Sequence, residues 1–276
     1  MKCLALLSGA LLACAASSQD DEVRRLQEQL IQAHLENLDL KLKLTRLSGR
    51  PEDELRILGE ALGSAFPEVG AASLRELAAL PEERRRGAVP LVLGRYAAAG
   101  EGFRLQAIAL FLGRVPSPEA EETLVRAAAD ASPGVRRAAA TALKTSPAGK
   151  ALEALLGLLR DRDSGVRLAA IDALGTAKRE PAVAPLVGLL GSEPDGTVVE
   201  KTVDALGAIG SPAAVEPLLA VLARTERKEV RWSCINSLGK IGDPKAAPLL
   251  RPYLDASRTP DVRQIAWIRN SSRYFK

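Results

Sequence analysis

One segment length keeps returning through the second half of this chain. Openings at Phe103, Val135, Val166, Val198, Val230 and Val262 lie 32, 31, 32, 32 and 32 residues apart. They begin the segments FRLQAIALFL, VRRAAATALK, VRLAAIDALG, VVEKTVDALG, VRWSCINSLG and VRQIAWIRNS. A fixed period of this length constrains the fold more than any local propensity, because one unit cannot bury its apolar face alone and must stack on its neighbours. In most copies the first, fifth, sixth and ninth residues are apolar, which on a 3.6-residue period makes a single buried stripe along a helix.

Each segment is followed by a break with Gly and then Pro, as from Gly207 to Ser211-Pro212 and from Gly239 to Asp243-Pro244. Ser or Asp before Pro is an N-cap followed by an N1 proline, so a second helix starts there. These second helices contain APLVGLL, EPLLAVL and APLLRPYL, and their internal Pro185, Pro217 and Pro248 are expected to kink them. Only four Phe, three Tyr and two Trp stand against abundant Ala and Leu, so the core is aliphatic and the chain all-α. The expected architecture is an α-α superhelix over residues 101–276. Residues 71–102 form a degenerate copy, with Pro90-Leu91-Val92 in the place of Pro185-Leu186-Val187. A helix after Pro51, with Leu55, Leu58, Leu62 and Phe66 inward, caps that end, and residues 51–100 thus form an N-terminal cap region.

Val166-Arg167-Leu168-Ala169-Ala170-Ile171-Asp172-Ala173-Leu174-Gly175, preceded by Asp161 and Asp163, resembles the Val-Arg-x-x-Ala-Ala-x-Ala-Leu-Gly hallmark of the HEAT-like repeats also found in phycobilin lyases. The resemblance implies a HEAT-like solenoid whose Val-Arg helices line a concave side, and it says little about function. Positions three, four and seven of those helices are free of core duty. They gather Arg137 and Thr141, Leu168 and Asp172, Glu200, Lys201 and Asp204, Trp232 and Asn236, and Gln264 and Ile268. Thr141, Asp172, Asp204 and Asn236 make a polar ladder with one rung per repeat, about 10 Å apart as packed helices are. Trp232 stands beside it, either as an exposed interface anchor or as a cover over the join between repeats.

The N-terminus follows another plan. A positive start at Met1-Lys2, an apolar stretch from Leu4 to Leu12 and small residues before the acidic Gln19-Asp20-Asp21 describe an export signal over residues 1–15. Its end, Leu11-Leu12-Ala13-Cys14, resembles the lipobox of bacterial lipoproteins. That resemblance implies acylation of Cys14 and a lipid anchor on a membrane facing the periplasm; cleavage after Ala15, giving a soluble secreted protein, is the alternative. Residues 20–48 lack Pro and Gly and place Val23, Leu26, Leu30, Ala33, Asn37, Leu40, Leu44 and Leu47 at the a and d positions of a heptad. Asn37, at an a position, can pair with its mate on a parallel partner helix. A second stripe of Ile31, Leu35, Leu38 and Leu42 gives the competing reading of a helix folded back on the body. Ser48-Gly49-Arg50-Pro51 ends the helix.

The chemistry-bearing residues are few. The only histidine, His34, lies in the stalk as a solvated flanking residue, which argues against a His-assisted nucleophile or a His-rich metal site in the repeats. This departs from the HEAT-fold hydroxylases that hold iron through repeated His-Glu pairs. Cys234, alone in the body, reads as a small core residue. The run Arg84-Arg85-Arg86 reads as a solvated helix face, and a formal charge of +4 spread along the chain argues only weakly for nucleic acid. No phosphate-cradling glycine motif occurs. The expectation is a non-enzymatic scaffold for a protein or peptide partner, with no cofactor, no metal and no nucleic acid. A bilin-lyase-like or other HEAT-fold enzyme and a DNA-binding HEAT protein are the alternatives.

Overall fold

A computed structural model describes residues 2–145, 149–246 and 248–250, with side chains from Asp21 onward other than Ser48 and Pro51. Every regular element among them is helical. The expected sixth segment, with Val262 and Gln264, lies outside the described residues, as does the side chain of Cys14. The chain divides into two compact units, residues 1–111 and 112–276.

The N-terminal unit consists of α1 (Lys2–Ser48), α2 (Pro51–Leu62), α3 (Pro67–Ala79), α4 (Glu82–Ala98) and α5 (Glu101–Leu110). Gly49 stops α1 in the left-handed region at φ 69°, where glycine carries no Cβ penalty, and Pro51 opens α2. The last third of α1 packs on α2 and α3. Of the second stripe, Leu38 and Leu42 are buried and Ile31 and Leu35 half-buried; Thr45 beyond them is buried too, and its hydroxyl donates to the Lys41 carbonyl at 2.8 Å. This docks the C-terminal end of α1 on α2 and α3 and leaves the heptad seam facing the other way. Phe66 corrects the expected cap: α2 ends at Leu62, and Phe66 becomes the N-cap of α3 because Pro67 starts a new helix. The Phe66 ring instead meets His34, centroids 4.9 Å apart. The basic run is also less solvated than its composition suggests, since Arg84 binds the buried Glu54 at 2.7 Å.

In the second unit a 3-10 turn (Leu112–Arg114) leads into α6 (Pro118–Ala127), α7 (Pro133–Leu143), α8 (Gly149–Leu158) and α9 (Ser164–Thr176). Then come α10 (Val183–Ser192), α11 (Gly196–Ile209), α12 (Val215–Arg224) and α13 (Lys228–Ile241). The helices α7, α9, α11 and α13 pack side by side in that order, while α6, α8, α10 and α12 each lie against the helix that follows. The first, fifth, sixth and ninth positions are buried in all four Val-helices: Val135, Ala139, Ala140 and Leu143 in α7, through to Val230, Cys234, Ile235 and Leu238 in α13. Three of these helices begin on polar caps, where Ser132, Asp163 and Asp195 accept from the backbone N–H groups of Val135, Val166 and Thr197.

The expected proline kinks at Pro185 and Pro217 do not arise. Short 3-10 turns (Glu180–Ala182 and Pro212–Ala214) precede α10 and α12, so each proline stands third in its α-helix, where no N–H donor is needed within the helix. Ser211 does act as the N-cap of its turn, accepting from the Ala213 N–H. Neighbouring Val-helices approach backbone to backbone through small residues. A Cβ on Gly175 would lie 2.9 Å from the Ala205 Cα, and one on Gly207 would lie 2.7 Å from the Ser237 Cα.

Candidate functional site

The second position of the Val-helices sets the stacking. Arg136 on α7 grips the carboxylate of Asp161 with Nε at 2.6 Å and Nη2 at 2.9 Å, and its Nη1 donates to the carbonyls of Asp130 and Ala131. Arg167 on α9 repeats the arrangement one unit later, with Glu193 at 2.9 and 2.8 Å and the Asp161 carbonyl at 2.9 Å. Each acid also accepts from the backbone two residues on, Asp161 from Asp163 and Glu193 from Asp195. One carboxylate thus ties the preceding Val-helix to the turn that caps the next. The Arg136 guanidinium, chiefly by its hydrogen bonds, holds the Asp161 carboxyl below the usual carboxylate range, and Asp161 raises Arg136 in return. In α11 the second position is Val199, and the residue where the acid would stand is Thr225. Both halves of the clamp are exchanged together, leaving no unpaired buried charge.

Two further shifted groups are also structural. Asp195 is held low, first by the backbone N–H of Thr197, as an N-cap carboxylate should be. Burial pushes the Cys234 thiol up to about 12, with Asp204 adding to the shift, so it stays protonated as a small core residue. Among the described residues no group of three His, Cys, Asp or Glu side chains is placed to hold a metal, and no helix is long and apolar enough to cross a membrane.

Beyond the clamp positions lies the face expected to carry recognition. Arg137, Thr141, Asp172, Lys201 and Trp232 are exposed, and Leu168, Glu200, Asp204 and Asn236 are half-buried. Because their four helices pack consecutively, these residues form rows crossing the repeats. Thr141 donates to the Arg137 carbonyl at 3.1 Å, and Lys201 sits 3.6 Å from Asp204 on the same helix. Trp232 leaves 48 % of its surface in solvent, an unusual exposure for the largest apolar side chain. Three carboxylates (Asp172, Glu200, Asp204) and two cations (Arg137, Lys201) give the described face a mild negative balance. The clamps are not legible in the sequence, because their partners lie 25 and 26 residues apart.

Paired helices stacked at a constant period through one continuous aliphatic core define an α-solenoid repeat protein. The family described as HEAT repeats matches residues 123–203 and 195–268, more than half of the chain, and the chain belongs to that family. Its fold is similar to that of a designed armadillo repeat protein in complex with the peptide (KR)4, at 20% identity over 67% of this chain and 98% of that one, with a TM-score of 0.49. It is also similar to the complex of CpcE and CpcF of phycocyanin lyase from Nostoc sp. PCC7120, at 21% identity over 71% and 80% of the two chains, with a TM-score of 0.47. An engineered protein gives 21% identity over 69% and 96%, with a TM-score of 0.47. No curated protein matches the chain in sequence.

Proposed function

We propose that the chain is an exported, non-enzymatic scaffold that binds a polypeptide partner on the ladder face of α7, α9, α11 and α13. The observation that carries this reading is the contrast between positions on those helices. The buried positions vary little, with Val at the first and Leu at the ninth in all four, whereas the third and seventh run through Arg137, Leu168, Glu200 and Trp232, and Thr141, Asp172, Asp204 and Asn236. A face needed only for solubility requires no Trp. An exposed Trp among polar groups suits an anchor that enters a partner pocket while the ladder accepts backbone or basic side-chain hydrogen bonds. The acidic balance argues against a phosphate backbone as the ligand. The shifted titratable groups all serve clamps, caps or core, not a reacting centre, which supports the non-enzymatic reading.

In this reading residues 1–15 direct export, Cys14 carries the lipid anchor, and residues 20–48 of α1 form a self-associating stalk. Mass spectrometry of the native N-terminus tests the anchor: an acylated Cys14 supports it, and an unmodified start at Ala16 leaves a secreted soluble protein. The face is tested by recovering partners from the native envelope with wild-type bait and with Asp172→Lys/Asp204→Lys bait. A partner held by the first and lost from the second supports the ladder; equal recovery on both removes it.

A further inference from the structure

The helix α1 has two apolar faces, and its own body occupies only one. With Val23, Leu30, Asn37 and Leu44 at heptad position a and Leu26, Ala33, Leu40 and Leu47 at d, the body-facing Leu38, Leu42 and Thr45 fall at b and f. At about 100° per residue, the b/f face points about 150° away from the a/d seam, so docking on the body leaves the seam clear. Along it Val23, Leu26, Leu30, Leu40, Leu44 and Leu47 are all exposed, from 47 % at Leu30 to 85 % at Leu47. A row of six large aliphatics in water is an interface in want of a partner.

We propose that this seam is covered by the same seam of a second copy, in a parallel, in-register, two-stranded coiled coil. The proposal rests on the self-associating stalk and adds its stoichiometry, direction and register. Asn37, exposed in the single chain, sets the direction. In a parallel pair a residues meet a residues, so the two Asn37 amides bond each other; an antiparallel pair sets each against apolar d residues and strands a buried amide. The flanking charges agree. Parallel packing brings each g position to the e position five residues further along the mate, which joins Glu36 to Lys41 of the second copy, twice over. Stoichiometry follows from the seam itself: Leu at three of the four d positions and a single Asn at an a position favour two strands.

The test uses the full chain with Cys3→Ser and Cys14→Ser, kept in non-ionic detergent. Sedimentation equilibrium is expected to give twice the monomer mass, and Leu30→Lys/Leu44→Lys to give monomers with unchanged helix content, since both side chains are exposed in the single chain. A monomeric wild type, or a dimer indifferent to the two lysines, overturns self-association through this seam. Asn37→Cys is expected to cross-link into a covalent dimer on mild oxidation, without interference from the buried Cys234. A dimer that does not cross-link overturns the parallel register alone and leaves self-association standing. Glu36→Lys should weaken the dimer and Glu36→Lys/Lys41→Glu should restore it; weakening without restoration overturns the Glu36–Lys41 pairing. None of these changes touches the ladder face, so their failure is separable from failure of the proposed binding function.

Discussion

The repeat unit and the N-terminal unit are both helical and both use arginine–carboxylate contacts, but they distribute them differently. In the repeats the clamp recurs, Arg136 with Asp161 and then Arg167 with Glu193, and it is exchanged as a pair for Val199 and Thr225. In the N-terminal unit one buried carboxylate, Glu54 on α2, gathers Arg46 from α1 at 2.9 Å and Arg84 from α4 at 2.7 Å, while Arg46 also reaches Glu76 on α3 at 2.8 Å. Distributed clamps confine damage to one joint, because each repeat contacts only its neighbours. A hub makes several helices depend on one residue.

The most damaging change strikes neither kind of clamp but the close approach that the clamps accompany. Gly207→Val, whose Cβ would fall 2.5 Å from the Ser237 Cβ, must push α11 and α13 apart. It should cost about 3 kcal/mol or more, read as a lowered denaturation midpoint. Next comes the hub. Glu54→Ala leaves Arg46 and Arg84 without their shared partner and should cost about 2 kcal/mol, softened from the buried-pair value because both guanidinium groups are partly exposed. Hydrogen exchange should show amides of α1, α2 and α4 opening together. If instead only α2 loosens, the hub is no more than another local clamp.

Asp161→Asn should cost about 1–2 kcal/mol at neutral pH and loosen the α7–α9 joint alone. Its pH dependence has a definite sign. The folded carboxyl lies below its ordinary value of 3.8, so between the two values the unfolded chain binds more protons. The Asp161 contribution is complete above the ordinary value and is lost as pH falls through the folded one. Thermal melts from pH 5 downward should therefore fall more steeply in the wild type than in Asp161→Asn; parallel curves would remove Asp161 as the source. The smallest expected effect is a gain. The Ser237 hydroxyl is buried without a hydrogen-bond partner, so Ser237→Ala should raise stability by about 1 kcal/mol or less.

Periodicity made the repeat unit legible. The stripe at positions one, five, six and nine is buried in all four Val-helices from α7 to α13, because stacking imposes one environment on each copy. Punctuation was equally local: Gly49, Pro51, Ser132 and Asp163 act through their own backbone conformation or the next few N–H groups. Non-local contacts hid the rest. Arg84 looked solvated in sequence because Glu54 lies 30 residues away. Pro185 and Pro217 looked like kinks because the 3-10 turns before them shift the start of the α-helix. The ladder positions are legible only as those the core does not use, and exposure alone names no ligand.

That face is tested most directly through Trp232→Ala, with thermal stability and affinity for the recovered partner measured on the same protein. Half of the Trp232 surface is already in solvent, so truncation should change stability by no more than about 0.5 kcal/mol, as for ordinary surface positions. Affinity should fall by about 2 kcal/mol or more, roughly thirtyfold in Kd. A lowered melting midpoint with unchanged affinity would make Trp232 a structural cover over the join between repeats and contradict the proposed binding face.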